Sequence, residues 1–273
     1  MTGQRWEAQV PWPASASVRI LDLAQELAPG IPHHPNHPPY SFTLTKQHGE
    51  VMYPDGVSAS AEMITTGGHV GTHVDGLAHV SKGGRVFGDQ EVIGAQSYVG
   101  GMEVCSVHEM APMLARGRFV DAPTYVGRDL EPGDAVDDDL LQAWSEDHGR
   151  PEPGDVVLIR TGWSRHWHDV GSYLGVTTGV PGIDLSGARW LTDHGVRATG
   201  SDTIAYEVMP SGALEVHVHL LVEHGVPIME AMNLDPLADE QVDDAFFFVA
   251  SPLSVRGGTG SPIRPLAIIE MDT

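Results

Sequence analysis

The stretch Gly67-Gly68-His69-Val70-Gly71-Thr72-His73-Val74-Asp75-Gly76-Leu77-Ala78-His79-Val80-Ser81-Lys82-Gly83-Gly84 places three imidazoles and one carboxylate at i, i+4, i+6 and i+10, counted from His69. Neither regular element can gather them. On an ideal helix His69 and His73 share a face, but Asp75 lies well over a quarter turn away. On a strand all four point to one side, yet at ~3.3 Å per residue His69 and Asp75 stand ~20 Å apart. The segment must therefore curl, and Gly67, Gly68, Gly71 and Gly76 are the residues that permit tight curvature and positive φ. Imidazole nitrogens with one aspartate oxygen and no thiolate form a ligand set for zinc, manganese or iron. Random placement of the chain's 15 histidines and its aspartates gives roughly 0.003 expected matches to this spacing, so a shared site outweighs coincidence.

Outward from this stretch, the chain reads mainly as strands. VRILDL (Val18 to Leu23) opens it. PGIPHHPNHPPY (Pro29 to Tyr40) holds five prolines, which exclude helix and central strand and leave a stiff extended loop. SFTLTK (Ser41 to Lys46) and VSASAEMITT (Val57 to Thr66) alternate and carry β-branched residues. MEVCSV (Met102 to Val107) and RFVDA (Arg118 to Ala122) are further candidate strands. VVLI within PGDVVLIRTGW (Pro153 to Trp163) is continuous rather than alternating, as in a strand buried on both faces. VRATGSD (Val196 to Asp202), VPIM (Val226 to Met229), FFFVASPL and IRPLAIIE complete the set.

Three helices are expected. Asp137 can cap one that runs through Trp144 and ends near Gly149. Asp184 or Ser186 can cap a second that includes Trp190 and Leu191 and stops at Gly195. ALEVHVHLLVEHG (Ala213 to Gly225) has good helix formers and a terminating glycine. Strands alternating with few helices, without repeat or linker, predict an α/β fold: a single domain with a mixed β-sheet over residues 18–273. Residues 1–17, with two tryptophans and no periodicity, read as an N-terminal arm that lies on another surface. The acidic run Asp134 to Asp139 is expected to be a solvated turn and helix cap rather than a cation site.

Composition narrows the partners. The 273 residues are 41% hydrophobic and 19% charged, a globular balance. Fifteen Lys and Arg against 37 Asp and Glu give −22, a field that repels phosphate backbones and anionic headgroups; no nucleic acid and no membrane surface is expected as a partner, whereas metal cations suit it. Cys105 is the single cysteine, which excludes an intramolecular disulfide and a cysteine-built zinc site and makes a reducing cytoplasm the expected location. The N-terminus has no apolar signal-like run, and AFFFVA (Ala245 to Ala250) is far short of the ~20 residues of a membrane span.

The cluster resembles the signature H-x-G-T-H-x-D-x-P-x-H of the cyclase family of metal-dependent hydrolases, which includes bacterial kynurenine formamidase and isatin hydrolase. His69, Gly71, Thr72, His73, Asp75 and His79 match it; Leu77 stands where the family has proline, a change that bears on pocket shape rather than on a ligand. LDLAQELAPGIPHHP (Leu21 to Pro35), GDVVLIRTGW, GSDTIA (Gly200 to Ala205) and VHVHLLVEHGVPIMEAMNL (Val216 to Leu234) resemble later family segments. The resemblance implies the family's swivelling β/β/α arrangement and a homo-oligomer, dimer or tetramer. It implies one or two divalent ions, Zn or Mn, with His69, His73 and Asp75 on the first and Asp75 bridging to a second completed by Glu230 and His217, His219 competing for the histidine role. It further implies that His79 is the catalytic proton shuttle and that His34 walls the substrate pocket.

A divalent ion activates water and polarises a carbonyl, which is what hydrolysis of an amide-type C–N bond requires. The expected substrate is a small cyclic amide or an N-formyl (aryl formamide) compound; a lactone or ester is the alternative within the family. A cupin-like metal-binding protein is a rival, because His217-x-His219-x3-Glu223 approaches a cupin motif. A metal-free nucleophilic hydrolase lacks support: there is no G-x-S-x-G elbow, and Cys105 sits in an apolar run suited to an inert thiol. Arg160 and Trp163 are candidates for substrate contact or for structural roles, and Asp202 for capping backbone N–H groups.

Overall fold

The computed structural model describes residues 17–242 and 245–270, so the expected arm lies, apart from Ser17, outside the described residues. The strands that matter here are β1 (Val18–Asp22), β2 (Ser41–Lys46), β3 (Ala61–Thr65), β4 (His73–Asp75), β5 (Met113–Asp121), β6 (Val156–Arg160), β7 (Ala198–Ser201), β8 (Ile228–Glu230), β9 (Phe246–Ala250), β10 (Gly260–Pro262) and β11 (Leu266–Glu270). Nine of them join in one sheet in the order β1-β11-β9-β5-β6-β7-β8-β4-β10, while β2 and β3 pair as a separate antiparallel hairpin. The pairs β5/β6, β6/β7 and β7/β8 are parallel and the rest antiparallel, giving the single α/β domain with a mixed sheet.

The apolar run in β6 explains the layering. Val157 and Ile159 face a core shared with Leu141, Trp144, Leu191 and Leu220, all from the helices, whereas Val156 and Leu158 face an opposite core with Val74, Met229 and Phe248. A strand alternates its side chains between faces, so a continuous apolar sequence is what a doubly covered strand needs. Of the three expected helices, α1 (Asp138–His148) is capped by Asp137 accepting from Leu140 N, and α2 (Leu185–Asp193) by Asp184 accepting from Gly187 N. The third, α3 (Glu215–His217), runs directly into a π-helical segment, Val218–His224, closed by Gly225 in the left-handed conformation.

Three expectations shift. MEVCSV does not form a strand: only Gly101–Met102 pairs, and the following residues are pinned to a C-terminal loop through Met102 N to the Gly257 carbonyl and Val107 N to the Gly258 carbonyl. Cys105 there has a left-handed φ of 53° and is half-buried, and burial, then the charge of Glu109, raises its thiol pKa, so it remains a poor nucleophile. Val57 to Thr66 narrows to Ala61–Thr65, and RFVDA proves to be the end of the longer β5.

Candidate metal centre

Strand β4 lies between β8 and β10, with Glu230 opposite His73 and Gly260 opposite Asp75. Alternation points His73 and Asp75 to one face and sends Val74, fully buried, into the core behind it. The β8 register then adds Glu230 beside His73. Before β4 the chain curls at Gly71, φ +68°, the residue among the four cluster glycines that uses left-handed backbone. Gly68 and Gly76 serve a different purpose: a Cβ on either would sit 2.9 Å from a carbonyl oxygen, of Gly260 and Thr259 respectively, so they allow the curl to pack against β10 and the residue before it.

The curl folds His69 back onto β4. Its Nδ1 lies 2.6 Å from Asp75 Oδ1, and its Nε2 lies 2.9 Å from Thr259 Oγ1. His73 donates Nδ1–H to the Gly71 carbonyl, which leaves Nε2 facing Asp75 Oδ1 and Glu230 Oε2, both at 3.4 Å. From α3, His217 brings Nε2 to 3.2 Å from Glu230 Oε1 and 3.7 Å from Asp75 Oδ2. His79 Nε2 approaches Asp75 Oδ2 at 3.7 Å from the solvent side, with its side chain 24% exposed. Two overlapping groups result, His69/His73/Asp75 and Asp75/His217/Glu230, each with its donor atoms within 4.8 Å of one another. All five members are buried.

The electrostatics favour a cation at this place. Burial opposes the charged form of His73, yet hydrogen bonds and charge from Asp75 and Glu230 override it and hold its pKa up at about 10. His217 reaches about 10 in the same way, burial being outweighed by Glu207 and Glu230. Against burial, His79 and His69 hold the Asp75 carboxyl well below the usual range, and His217 and His73 lower Glu230. Asp75 Oδ2 is nevertheless buried without a hydrogen-bond partner among the described residues. A buried carboxylate oxygen left open between two imidazole nitrogens fits a divalent ion with nitrogen and oxygen donors. His79 differs: burial, with His69 and His217 adding to it, outweighs the nearby carboxylates and pulls it down to about 4, so it is a neutral base at pH 7.

A cavity of about 260 Å³ opens over these groups. His34, Asn36 and His37 of the proline loop form one wall; Ile204, Ala205, Met209 and Leu214 form the apolar one. No lysine or arginine lines it among the described residues. His34 lines the cavity, and the ring closer to the cluster is His37, stacked on His69 at 5.0 Å and edge-on to His34 at 5.8 Å. A larger cavity of about 470 Å³ near Tyr125 and Trp144 lies away from the cluster.

His219 does not join the centre; it turns to Thr192 and Glu223 instead. This separates it from His217 and removes the cupin reading, since His217, His219 and Glu223 lie on a helix rather than on barrel strands. Arg160 is held by Asp121 and Asp235, Trp163 is buried with its indole N–H on the Tyr173 carbonyl, and Asp202 accepts from Thr161 N and Oγ1; all three are structural. Sequence reasoning missed Glu207, whose carboxylate faces His217 Nδ1 at 3.6 Å, and the Thr259-Gly260 pair behind His69. No motif spacing links them to the cluster: Thr259 and Gly260 arrive about 190 residues beyond His69, and Glu207 from the loop between β7 and α3.

Comparisons with known proteins identify the family. The Cyclase family model matches residues 21–208. The chain is 25% identical over 265 residues to an isatin hydrolase of Roseibium aggregatum, covering 93% of each chain. It is 25% identical over 246 residues to a kynurenine formamidase of Bacillus cereus, covering 89% of this chain and 94% of that one. A crystal structure of a novel cyclase superposes with a TM-score of 0.84 at 26% identity, over 91% of this chain and 86% of the other.

Proposed function

The chain belongs to the cyclase family, and from that premise we propose that it is a metal-dependent hydrolase that opens an amide-type C–N bond in a small, uncharged substrate. The observation that carries the reading is the buried, cation-demanding cluster of His69, His73, Asp75, His217 and Glu230 at the floor of a half-open cavity. His69, His73 and Asp75 would hold one divalent ion and Asp75, His217 and Glu230 a second, with Asp75 shared; zinc or manganese suits these donors. When bound, the metal supplies a water of lowered pKa and polarises the scissile carbonyl.

The chain's own residues perform the remaining work. His79, neutral and at the cavity edge of Asp75, accepts a proton as the water oxygen adds to the carbonyl carbon. It then returns that proton to the nitrogen as the C–N bond breaks, so the amine leaves neutral and a carboxylic acid remains. Glu207, which accepts from Val216 N, keeps a carboxylate 3.6 Å behind His217 Nδ1. His34, His37 and the Ile204–Met209 wall enclose a flat ring. The absence of lysine or arginine from the described lining favours a cyclic amide, or an aryl formamide without a free carboxylate, over an anionic substrate.

The hairpin β2–β3 supports a homo-oligomer. Phe42, Leu44, Met63 and Ile64 are each about half exposed on a two-stranded sheet, a form with little stability of its own. A second copy covering it would make light scattering report a dimer or larger. No helix among the described residues is long and apolar enough to cross a membrane, and the lone cysteine fits a cytoplasmic enzyme. The deciding experiment is elemental analysis of protein purified without added metal, combined with turnover of isatin-like lactams, formyl-anilides and lactones. Activity on the amides that vanishes on chelation and returns with metal is expected. Full activity after exhaustive chelation would refute the reading, and turnover of lactones alone would move the substrate to esters.

A further inference from the structure

The π-helical segment Val218–His224 gathers another set of metal-type donors on the helix that carries His217. In an α-helix, residues five apart lie about 140° round the axis, so His219 and His224 would diverge. The wider i→i+5 winding, seen in Gly225 N bonding to the Leu220 carbonyl, brings His219, Glu223 and His224 together. One donor atom from each lies within 4.8 Å of the others, and the two imidazole rings are 4.1 Å apart.

The hydrogen bonds around the rings decide where their lone pairs are. Thr192 Oγ1 lies 3.0 Å from the Arg189 carbonyl and 2.9 Å from His219 Nε2. A carbonyl only accepts and a hydroxyl has one hydrogen, so Thr192 donates to Arg189 and the second contact requires Nε2–H on His219. With the ring neutral, His219 Nδ1 then carries a bare lone pair, and it faces Glu223 Oε2 at 3.5 Å, acceptor against acceptor. His224 donates Nδ1–H to the His219 carbonyl at 2.9 Å, so its Nε2 is the bare nitrogen. Each ring thus has one nitrogen fixed by an oxygen acceptor and the other open, the arrangement that orients histidine ligands around metals. Glu223 and His224 are exposed, so an ion can enter. Lys82 Nζ holds Glu223 Oε1 at 2.9 Å, leaving Oε2 for the ion.

We propose that His219, Glu223 and His224 form a second, separate site for a divalent transition metal of the zinc type, clamping the π turn behind the central cluster. The test uses the protein with its central ions in place, dialysed into zinc-free buffer and titrated with Zn2+ by calorimetry, with bound metal counted after desalting. The wild type is expected to take up one more equivalent per chain than the double variant Glu223→Gln/His224→Ala. Thr192→Val, which removes the acceptor behind His219, is expected to weaken that equivalent by roughly 10–100-fold. Neither change touches the central donors, so amide turnover stays at the wild-type level. The comparison reads a difference of one ion and is independent of how many the central cluster holds. Equal uptake by wild type and double variant, or no additional equivalent in wild type, overturns the proposal.

Discussion

Gly260→Ala tests how tightly the cluster is held. An alanine Cβ at this position would lie 2.3 Å from His69 Cε1 and 2.8 Å from both ring nitrogens. To regain a carbon–carbon separation of about 3.5 Å the imidazole must retreat by about 1 Å. It has little room: Asp75 holds Nδ1 at 2.6 Å, Thr259 holds Nε2 at 2.9 Å, and the His79 ring lies 4.0 Å away. The backbone cannot yield instead, because Gly260 is in register with Asp75 and its carbonyl crowds Gly68. Overpacking of this kind costs about 1–3 kcal/mol, less than the roughly 5–15 kcal/mol of a folded domain. The variant should therefore fold while its site is displaced. A displacement of about 1 Å lowers turnover by about 100-fold, equivalent to about 2.7 kcal/mol of transition-state stabilisation, together with loss of metal from the His69 side. The assay pairs kcat/KM on an isatin-like lactam with metal content, and circular dichroism checks the fold. A folded Gly260→Ala protein with wild-type metal and turnover would show that His69 needs no fixed position, and the proposed geometry would be wrong.

Four other outcomes follow from the same cluster. Asp75→Asn should lose at least one ion and nearly all turnover, since the carboxylate shared by both groups loses its charge; a fully metallated, fully active variant would falsify the shared-ligand assignment. His79→Ala should keep its metal while kcat falls by roughly 10²–10⁴-fold; loss of metal instead would move His79 among the ligands. His73 and His217, raised to about 10, are protonated at pH 7, so metal uptake by metal-free protein should release about two protons per chain and strengthen as pH rises. Calorimetry in buffers of different ionisation enthalpy reads this release, and none at pH 7 contradicts it. The same shifts give the metal-free protein stability that is fully present below about 6.5, the ordinary histidine value, and lost as pH rises through about 10. Its urea midpoint should accordingly fall from pH 7 to pH 10, and a rise would reverse the sign of the argument.

The sequence by itself settled the local features. The His69-to-His79 spacing showed that no single helix or strand spans the cluster, although His73–Asp75 proves to be a short strand within it; Asp137 and Asp184 marked helix starts, and the VVLI run declared a strand covered on both sides. Each depends on neighbours within a few residues, where backbone geometry translates directly into position. Tertiary structure alone decided the rest. Glu230 meets His73 through the register of β8 on β4, and His217 parts from His219 because the helix carrying them packs one ring against the cluster and the other against Thr192. MEVCSV, alternating and apolar, lost its strand to hydrogen bonds with Gly257 and Gly258, some 150 residues later. Pairing partners of that kind are fixed by which backbone groups finally meet, a property of the whole sheet that no short stretch of side chains encodes.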